Sequence, residues 1–291
     1  MPLRVITTIA EFRRAREDAR AAGTLGFVPT MGYLHAGHIS LVDRARAENA
    51  VVAASIFVNP AQFAPNEDFG AYPRDPERDV ALLEAAGCDL VFHPSPEEMY
   101  PPPEQDVYVT PGDIAARLEG AARPLFFRGV ATVVLKLLNI VQPDRFYFGQ
   151  KDGQQAAVIR RMAHDLNVPG ALVVCPTVRE PDGLAMASRN VYLSAEERRA
   201  APVVHRALTA AQQLCHSGEA RADRLREAMR DTLQAEPLVA SIDYVSVADA
   251  LTLREIEGAA ADGAMASTAV LIGRTRLLDN VILTRPEAGG E

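Results

Sequence analysis

The sequence predicts an α/β fold: a doubly wound parallel sheet over residues 1–175, then a smaller C-terminal α+β domain over residues 176–291. Three observations carry this reading. Short apolar runs alternate with helical patterns through the first half, as expected of buried parallel strands joined by right-handed crossovers. After Cys175 the texture changes to two long helical patterns followed by alternating strands. No run of about 18 apolar residues occurs, so no segment is expected to span a membrane.

The elements follow in order. Thr8 and Glu11 read as a capping box, opening a helix that Gly23 stops. A strand over 25–28 leads to a helix over 37–49, and 51–58 is the next strand. Asp75 and Pro76 supply an N-cap and a first-turn proline. Val80, Leu83 and Ala86 keep helical spacing behind them, and Gly87 ends the helix. A strand over 90–92, an apolar helix over 129–141, a strand over 145–148, a helix over 152–166 and a strand over 171–175 complete the first domain. Helices over 194–216 and 222–236 then precede strands over 241–248, 266–272 and 281–284. The prolines at 101–103 mark a loop, and 286–291 read as a frayed tail.

Composition excludes several classes of function. A net charge of −8 argues against a basic nucleic-acid face, so no nucleic-acid partner is expected. Cys88, Cys175 and Cys215 are odd in number and fit no metal-ligand spacing, which suits core thiols in a reducing compartment. Near the start, Arg13, Arg14 and Arg16 meet Glu17 and Asp18 with no apolar stretch between them, so a secretory signal is not expected and the cytoplasm is.

In doubly wound sheets ligands sit outside the carboxyl ends of the strands, which directs attention to the residues after Val28, Val58 and Phe148. The first such segment is 29–38, PTMGYLHAGH, a strand-to-helix turn. His35 and His38 are three apart and can face one side of the helix start. Gly32 and Gly37 let the backbone approach a ligand, and a helix N-terminus favours phosphate. Two imidazoles there can donate to phosphate oxygens. A metal site is the rival, but no third ligand stands at suitable spacing; a capped helix with incidental histidines is the plainer alternative.

Three further segments point the same way. In 149–155, GQKDGQQ, Gly149 permits close approach, Lys151 is a point charge for phosphate oxygens, and Asp152 can accept from a ribose or cap the next helix. A capped surface turn explains the glycines and Asp152 equally well. In 186–190, MASRN, Ser188 and Arg189 can close over a triphosphate as a lid, or simply form a hinge loop. In 57–63, FVNPAQF, Asn59 and Gln62 offer neutral polar groups to a hydroxy acid.

Together these segments resemble the pantothenate synthetase family over nearly the whole chain. The segments concerned are 29–38, 55–63, 66–74, 97–101, 147–155, 176–193 and 273–280. The HAGH piece is similar to the HIGH signature of a wider nucleotidylyltransferase superfamily with a Rossmann-like fold. The segments at 57–63, 149–155 and 186–190 narrow it to one family.

The resemblance implies an ATP-dependent, AMP-forming ligase that joins pantoate to β-alanine through a pantoyl adenylate. It implies an ATP site at Met31, Gly32, Tyr33, Leu34, His35, Ala36, Gly37 and His38, completed by Gly149, Gln150, Lys151, Asp152, Val178, Met186, Ala187, Ser188 and Arg189. His38 is the family's assigned proton donor, and His35, Lys151, Ser188 and Arg189 are catalytic with it. Gln62 and Gln155 would bind pantoate, with Gln62 also near β-alanine. Mg²⁺ should accompany ATP, held mainly through phosphates and waters; its protein ligand is open, since Asp79, one thought, reads more simply as a helix-surface carboxylate. A homodimer is also implied.

Four positions depart from the family's pattern: Leu125 and Phe126 replace Gly-His, Gly153 replaces an aromatic residue, and Ala187 replaces a serine. Reduced or shifted kinetics, and not inactivity, are the expected consequence: one lost hydrogen bond to a charged group is worth about 1.5–3 kcal/mol, while His35, His38, Lys151, Ser188 and Arg189 are retained. Two other classes of function remain open on the sequence. One is a superfamily transferase acting on a phosphate, which would need no amine acceptor. The other is a non-catalytic nucleotide-binding protein.

Overall fold

The computed structural model describes residues 2–65, 67–102 and 105–285. The expected tail at 286–291, the third proline of the 101–103 loop and Asn66, at the start of the 66–74 segment, lie outside the described residues. Two compact units are present: one comprises residues 1–149 and 158–176, the other residues 150–157 and 177–291.

In the first unit, β1 (Arg4–Ile6) precedes α1 (Ile9–Ala22), whose N-cap Thr8 accepts from the Glu11 N–H; this is the threonine half of the expected box. β2 (Leu25–Thr30) runs past its apolar stretch because the Thr30 hydroxyl donates to the Ser55 carbonyl at 2.6 Å. Then come α2 (Ala36–Glu48), β3 (Val51–Ile56), α3 (Pro76–Ala85) capped by Asp75, β4 (Leu90–Phe92) and the short α4 (Pro96–Met99) and α5 (Glu119–Ala122). The apolar α6 (Phe126–Val141) begins three residues earlier than its pattern suggested. β5 (Arg145–Gly149), α7 (Gly153–Asp165), which starts among the residues of the second unit, and β6 (Ala171–Cys175) follow.

All described pairings of this sheet are parallel, in the order β1-β4-β3-β2-β5-β6. β1 was not foreseen: three residues at a sheet edge are too few to show a pattern. The two faces of the sheet bury Phe27, Phe92, Phe127 and Phe146 on one side and Val28, Val52 and Tyr147 on the other. The order reverses between β2 and β5, which is where such folds bind ligands. Their ladder there holds only Gly26↔Arg145 and Phe27↔Phe146, whereas β2 and β3 match over six residues. Beyond Phe27 and Phe146 the two strands therefore part, and the turns that follow them leave the sheet separately.

The second unit packs helices on an antiparallel sheet. The long helix expected over 194–216 is two: α8 (Ala195–Ala200), with a Ser194/Glu197 capping box, and α9 (Val203–His216). Pro202 divides them, since proline has no N–H to continue the ladder and its ring crowds the preceding turn. α10 (Ala222–Gln234) follows, then β7 (Val239–Ala248), β8 (Met265–Ile272) and β9 (Thr275–Ile282) in the order β7-β8-β9. Leu208, Leu225, Met229 and Leu233 pack on Val247, Val270 and Ile272. β9 starts six residues before the predicted strand, because Arg276, Asp279 and Asn280 hid its period.

Cys88, Cys175 and Cys215 are free and buried, and burial pushes the Cys88 thiol up to about 12. Among the described residues no helix is long and apolar enough to cross a membrane.

Candidate active site

The turn after β2 is built from both ends. Gly32 has φ +82° and Tyr33 φ +51°, two successive left-handed residues that aim consecutive N–H groups the same way. Asp79, from the first turn of α3, accepts the Tyr33 N–H at 2.6 Å and the Leu34 N–H at 2.7 Å. A Cβ on residue 32 would stand 2.9 Å from Asp79 Oδ2, so glycine is needed there for space as well as for φ. Asp79 is 1% exposed. The expectation of a surface carboxylate is thus corrected: Asp79 is buried, and its oxygens accept from two backbone amides of the turn.

His35 is the N-cap of α2. Its Nδ1 accepts from the Gly37 N–H at 3.1 Å, while His38 Nδ1 accepts from the His35 N–H at 3.4 Å. The two rings stand 4.1 Å apart. An imidazole that accepts at Nδ1 carries its neutral-state proton on Nε2. The cap thus fixes both tautomers, with an Nε2–H donor on each ring at the positive end of a helix. Met31, Leu34 and Ala36 complete the turn, Leu34 fully buried within it.

Gln62 lies near this turn. Its Nε2 donates to Met31 Sδ at 2.9 Å, and its Oε1 accepts from Asn59 Nδ2 at 3.0 Å. Asn59, 1% exposed, also takes the Tyr100 hydroxyl at 2.6 Å and donates to the Gly129 carbonyl at 3.2 Å. Gly129 lets α6 come close to the backbone of residues 61–62: a Cβ there would fall 2.1 Å from the Ala61 carbonyl oxygen. At the departures, Phe126 lies 3.8 Å beneath the Arg123 guanidinium, which forks onto Glu67 with two 2.6 Å bonds, and Leu125 is exposed. The polar group of the family pattern is replaced here by a cation–π stack.

The remaining predicted residues belong mostly to the second unit. Gly149 ends β5 in the first, and residues 150–152 form a 3-10 turn. Lys151, Ala187 and Arg189 line one pocket, together with Asn190, Arg276 and Asp279. Lys151 Nζ is 3.0 Å from Asp152 Oδ1. The Gln150 side chain is committed to Asn280. Ser188 opens a 3-10 turn over Ser188–Tyr192, for which Ala187 is an N-cap without a side-chain bond; the serine of the family pattern would supply one. The carbonyl of Val178 accepts from the Met186 N–H at 3.0 Å, closing the hairpin that carries this loop. Gln155 is half-buried in the first turn of α7.

Sequence reasoning missed Arg179, Asn190, Arg276, Asp279 and Asn280. Arg179 forks onto Asp279 at 2.5 and 3.2 Å, and Asn190 presents a buried Oδ1 without a protein partner. The only signal was their place in segments 176–193 and 273–280.

Comparison with known proteins gives one answer. The family model described as pantoate-beta-alanine ligase matches residues 4–282. A pantothenate synthetase of Roseiflexus sp. is 62% identical over 281 residues, 97% of this chain and 99% of that one. One of Chloroflexus aurantiacus is 59% identical over 281 residues, covering 97% and 98%. The crystal structure of pantothenate synthetase from Thermus thermophilus superposes with a TM-score of 0.91 at 47% identity, covering 97% of this chain and 100% of that one. A pantoate-beta-alanine ligase from Francisella tularensis, complexed with Beta-gamma ATP and beta-alanine, gives 0.78 at 34% identity, covering 96% and 97%. A parallel sheet that parts at a histidine turn, with a lysine pocket in a second α+β unit and this likeness over almost every residue, leads to one conclusion: the chain belongs to the pantoate–β-alanine ligase family.

Proposed function

We propose that the chain condenses (R)-pantoate with β-alanine at the expense of ATP, through a pantoyl adenylate, releasing AMP and pyrophosphate. The observation that carries this reading is the pair of Nε2–H donors held at the start of α2 by reciprocal capping. A carboxylate cannot acylate an amine directly at neutral pH, because its leaving group would be oxide. In the first step a pantoate carboxylate oxygen attacks the α-phosphorus and the bond to pyrophosphate breaks. His35 and His38 donate to the oxygens on which charge grows, His38 being the proton donor by family resemblance. Lys151 and Arg189 offset the charge of the departing pyrophosphate, and the Ser188 hydroxyl donates a hydrogen bond to it. In the second step the β-alanine amine attacks the acyl carbon and AMP leaves with its proton balance closed by the amine. Water must be excluded while the adenylate exists.

Gln62 and Gln155 hold pantoate, and the ATP site is the full set from Met31 to His38 and from Gly149 to Arg189 named above. Residues 1–175 act as the nucleotide- and pantoate-binding domain and 176–291 as the lid, in a cytoplasmic homodimer. Mg²⁺ travels with ATP. Among the described residues no cluster of three His, Cys, Asp or Glu side chains could hold a metal ion; Mg²⁺ would be held mainly by the phosphates and waters.

The test is turnover with ATP, pantoate and β-alanine, each omitted in turn. AMP formation should need pantoate, and pantothenate should need all three. AMP formed without pantoate would favour a transferase of another kind.

A further inference from the structure

Beneath the lysine turn lies a buried amide that takes no part in the two chemical steps. Asn280, on β9, is 3% exposed. Its Nδ2 donates to the Gln150 carbonyl at 2.8 Å and to the Lys151 carbonyl at 3.0 Å, and its Oδ1 accepts from Gln150 Nε2 at 2.7 Å. Both amide protons and the carbonyl are thereby used. The two peptide carbonyls it grips are those on either side of the Lys151 Cα, so the stem of the lysine is fixed at its root. Gly153 leaves the room for this: a Cβ there would stand 2.7 Å from Met265 Sδ and 3.0 Å from each terminal atom of Asn280. The neighbouring Asp279 grips Arg179, which also donates to the Gly183 carbonyl at 3.1 Å within the hairpin that leads to Arg189.

We propose that Asn280 is a positioning residue for ATP, holding the Lys151 ammonium at the triphosphate by clamping the backbone of the lysine turn. The proposal rests on the ATP site assigned under Proposed function. Asn280 does not touch the phosphates. It acts through Lys151, whose flexible four-carbon stem would otherwise search many rotamers before meeting an oxygen. Without the amide, two buried carbonyls lose their donors and the turn gains freedom to unwind towards water.

Asn280→Asp is the sharpest probe, because it keeps the volume and the acceptor for Gln150 but turns an oxygen against both carbonyls. With full-length protein, calorimetric ATP affinity and pantoate-dependent pyrophosphate release are measured for wild type, N280D, N280A, K151A and K151A/N280D. Leu233→Ala, in the α10 core, serves as a variant that lowers stability without touching the turn. ATP binding should weaken about tenfold or more in N280D and N280A. The KM for β-alanine should move less than about twofold, and L233A should lower the melting temperature with ATP affinity kept. In the K151A background, N280D should add less than about twofold, since its effect passes through the lysine. Unchanged ATP affinity in N280D, or the same loss on top of K151A, overturns the proposal. Wild type that binds ATP yet releases no pantoate-dependent pyrophosphate overturns the ligase reading instead, and the affinity arms still decide the role of Asn280.

Discussion

The histidine turn after β2 and the lysine turn after β5 follow neighbouring strands of one sheet, yet they are secured in different ways. The histidine turn is largely self-made: each ring caps the backbone two or three residues away, and one carboxylate 45 residues on ties down the approach. The lysine turn, among the described residues, is held from far along the chain. Its carbonyls are held by a side chain about 130 residues further along, and the loop that shares its pocket is held by an ion pair spanning 100. A local device can be read from ten residues; a long-range one exists only once the chain has closed.

Substitutions can break this comparison on either side. The largest effect is expected at His38→Ala, which should slow pantoate-dependent pyrophosphate release about 10²–10³-fold, as loss of one preorganised donor does elsewhere. Because the cap is only half removed, its melting temperature should change little. A release rate near wild type would remove His38 from the chemistry. Asp79→Ala attacks the same turn from outside, stranding two buried N–H groups at about 1–3 kcal/mol each. Activity and melting temperature should fall together, and Asp79→Asn, which keeps one acceptor, should lie between. If activity fell with no change in melting, the carboxylate would be acting on substrate and not on the turn.

On the lysine side a gain is expected. Ala187→Ser restores a side-chain cap to the Ser188–Tyr192 turn, worth about 1 kcal/mol, and should lower the ATP KM about fivefold. A higher KM would mean that the hydroxyl is unwelcome in this pocket.

The smallest effect concerns pH, with one histidine in each unit. Burial pushes His93 below the ordinary imidazole range against the nearby Asp79 carboxylate. Burial and then the Arg179 charge do the same to His205, opposed by Asp279. Both are held neutral by folding, so below about pH 6.5 the unfolded chain binds more protons. Stability should therefore be flat above that pH and fall as pH drops through the window down to the lowered folded values. His205→Gln should flatten the acid side of the melting-temperature profile, and a steeper acid loss in that variant would contradict the burial account.

Much of this was legible in the sequence, for reasons that the two turns illustrate. The alternating pattern pointed to the parallel sheet, and the glycines and histidines of 29–38 to a strand-to-helix turn with both rings at the helix start. Caps such as Asp75 and Ser194 are visible because the donor lies three residues from the acceptor. What stayed hidden was of two kinds. β1 and the first half of β9 are too short or too polar to show a period. Asp79, Asp279 and Asn280 look like ordinary polar residues until the fold brings them under the turns they hold. Pro202 is a different case, since its break was readable and the helical spacing around it prevailed.

The central claim is that the pantoate carboxylate is activated as an adenylate, and an isotope decides it most directly. Pantoate labelled with ¹⁸O in its carboxylate, turned over with unlabelled ATP and β-alanine, should pass one labelled oxygen to AMP for each pantothenate formed. Attack of the amine breaks the bond between acyl carbon and that oxygen, so the label must leave with the phosphorus. Unlabelled AMP, or label found in orthophosphate beside ADP, would contradict the account.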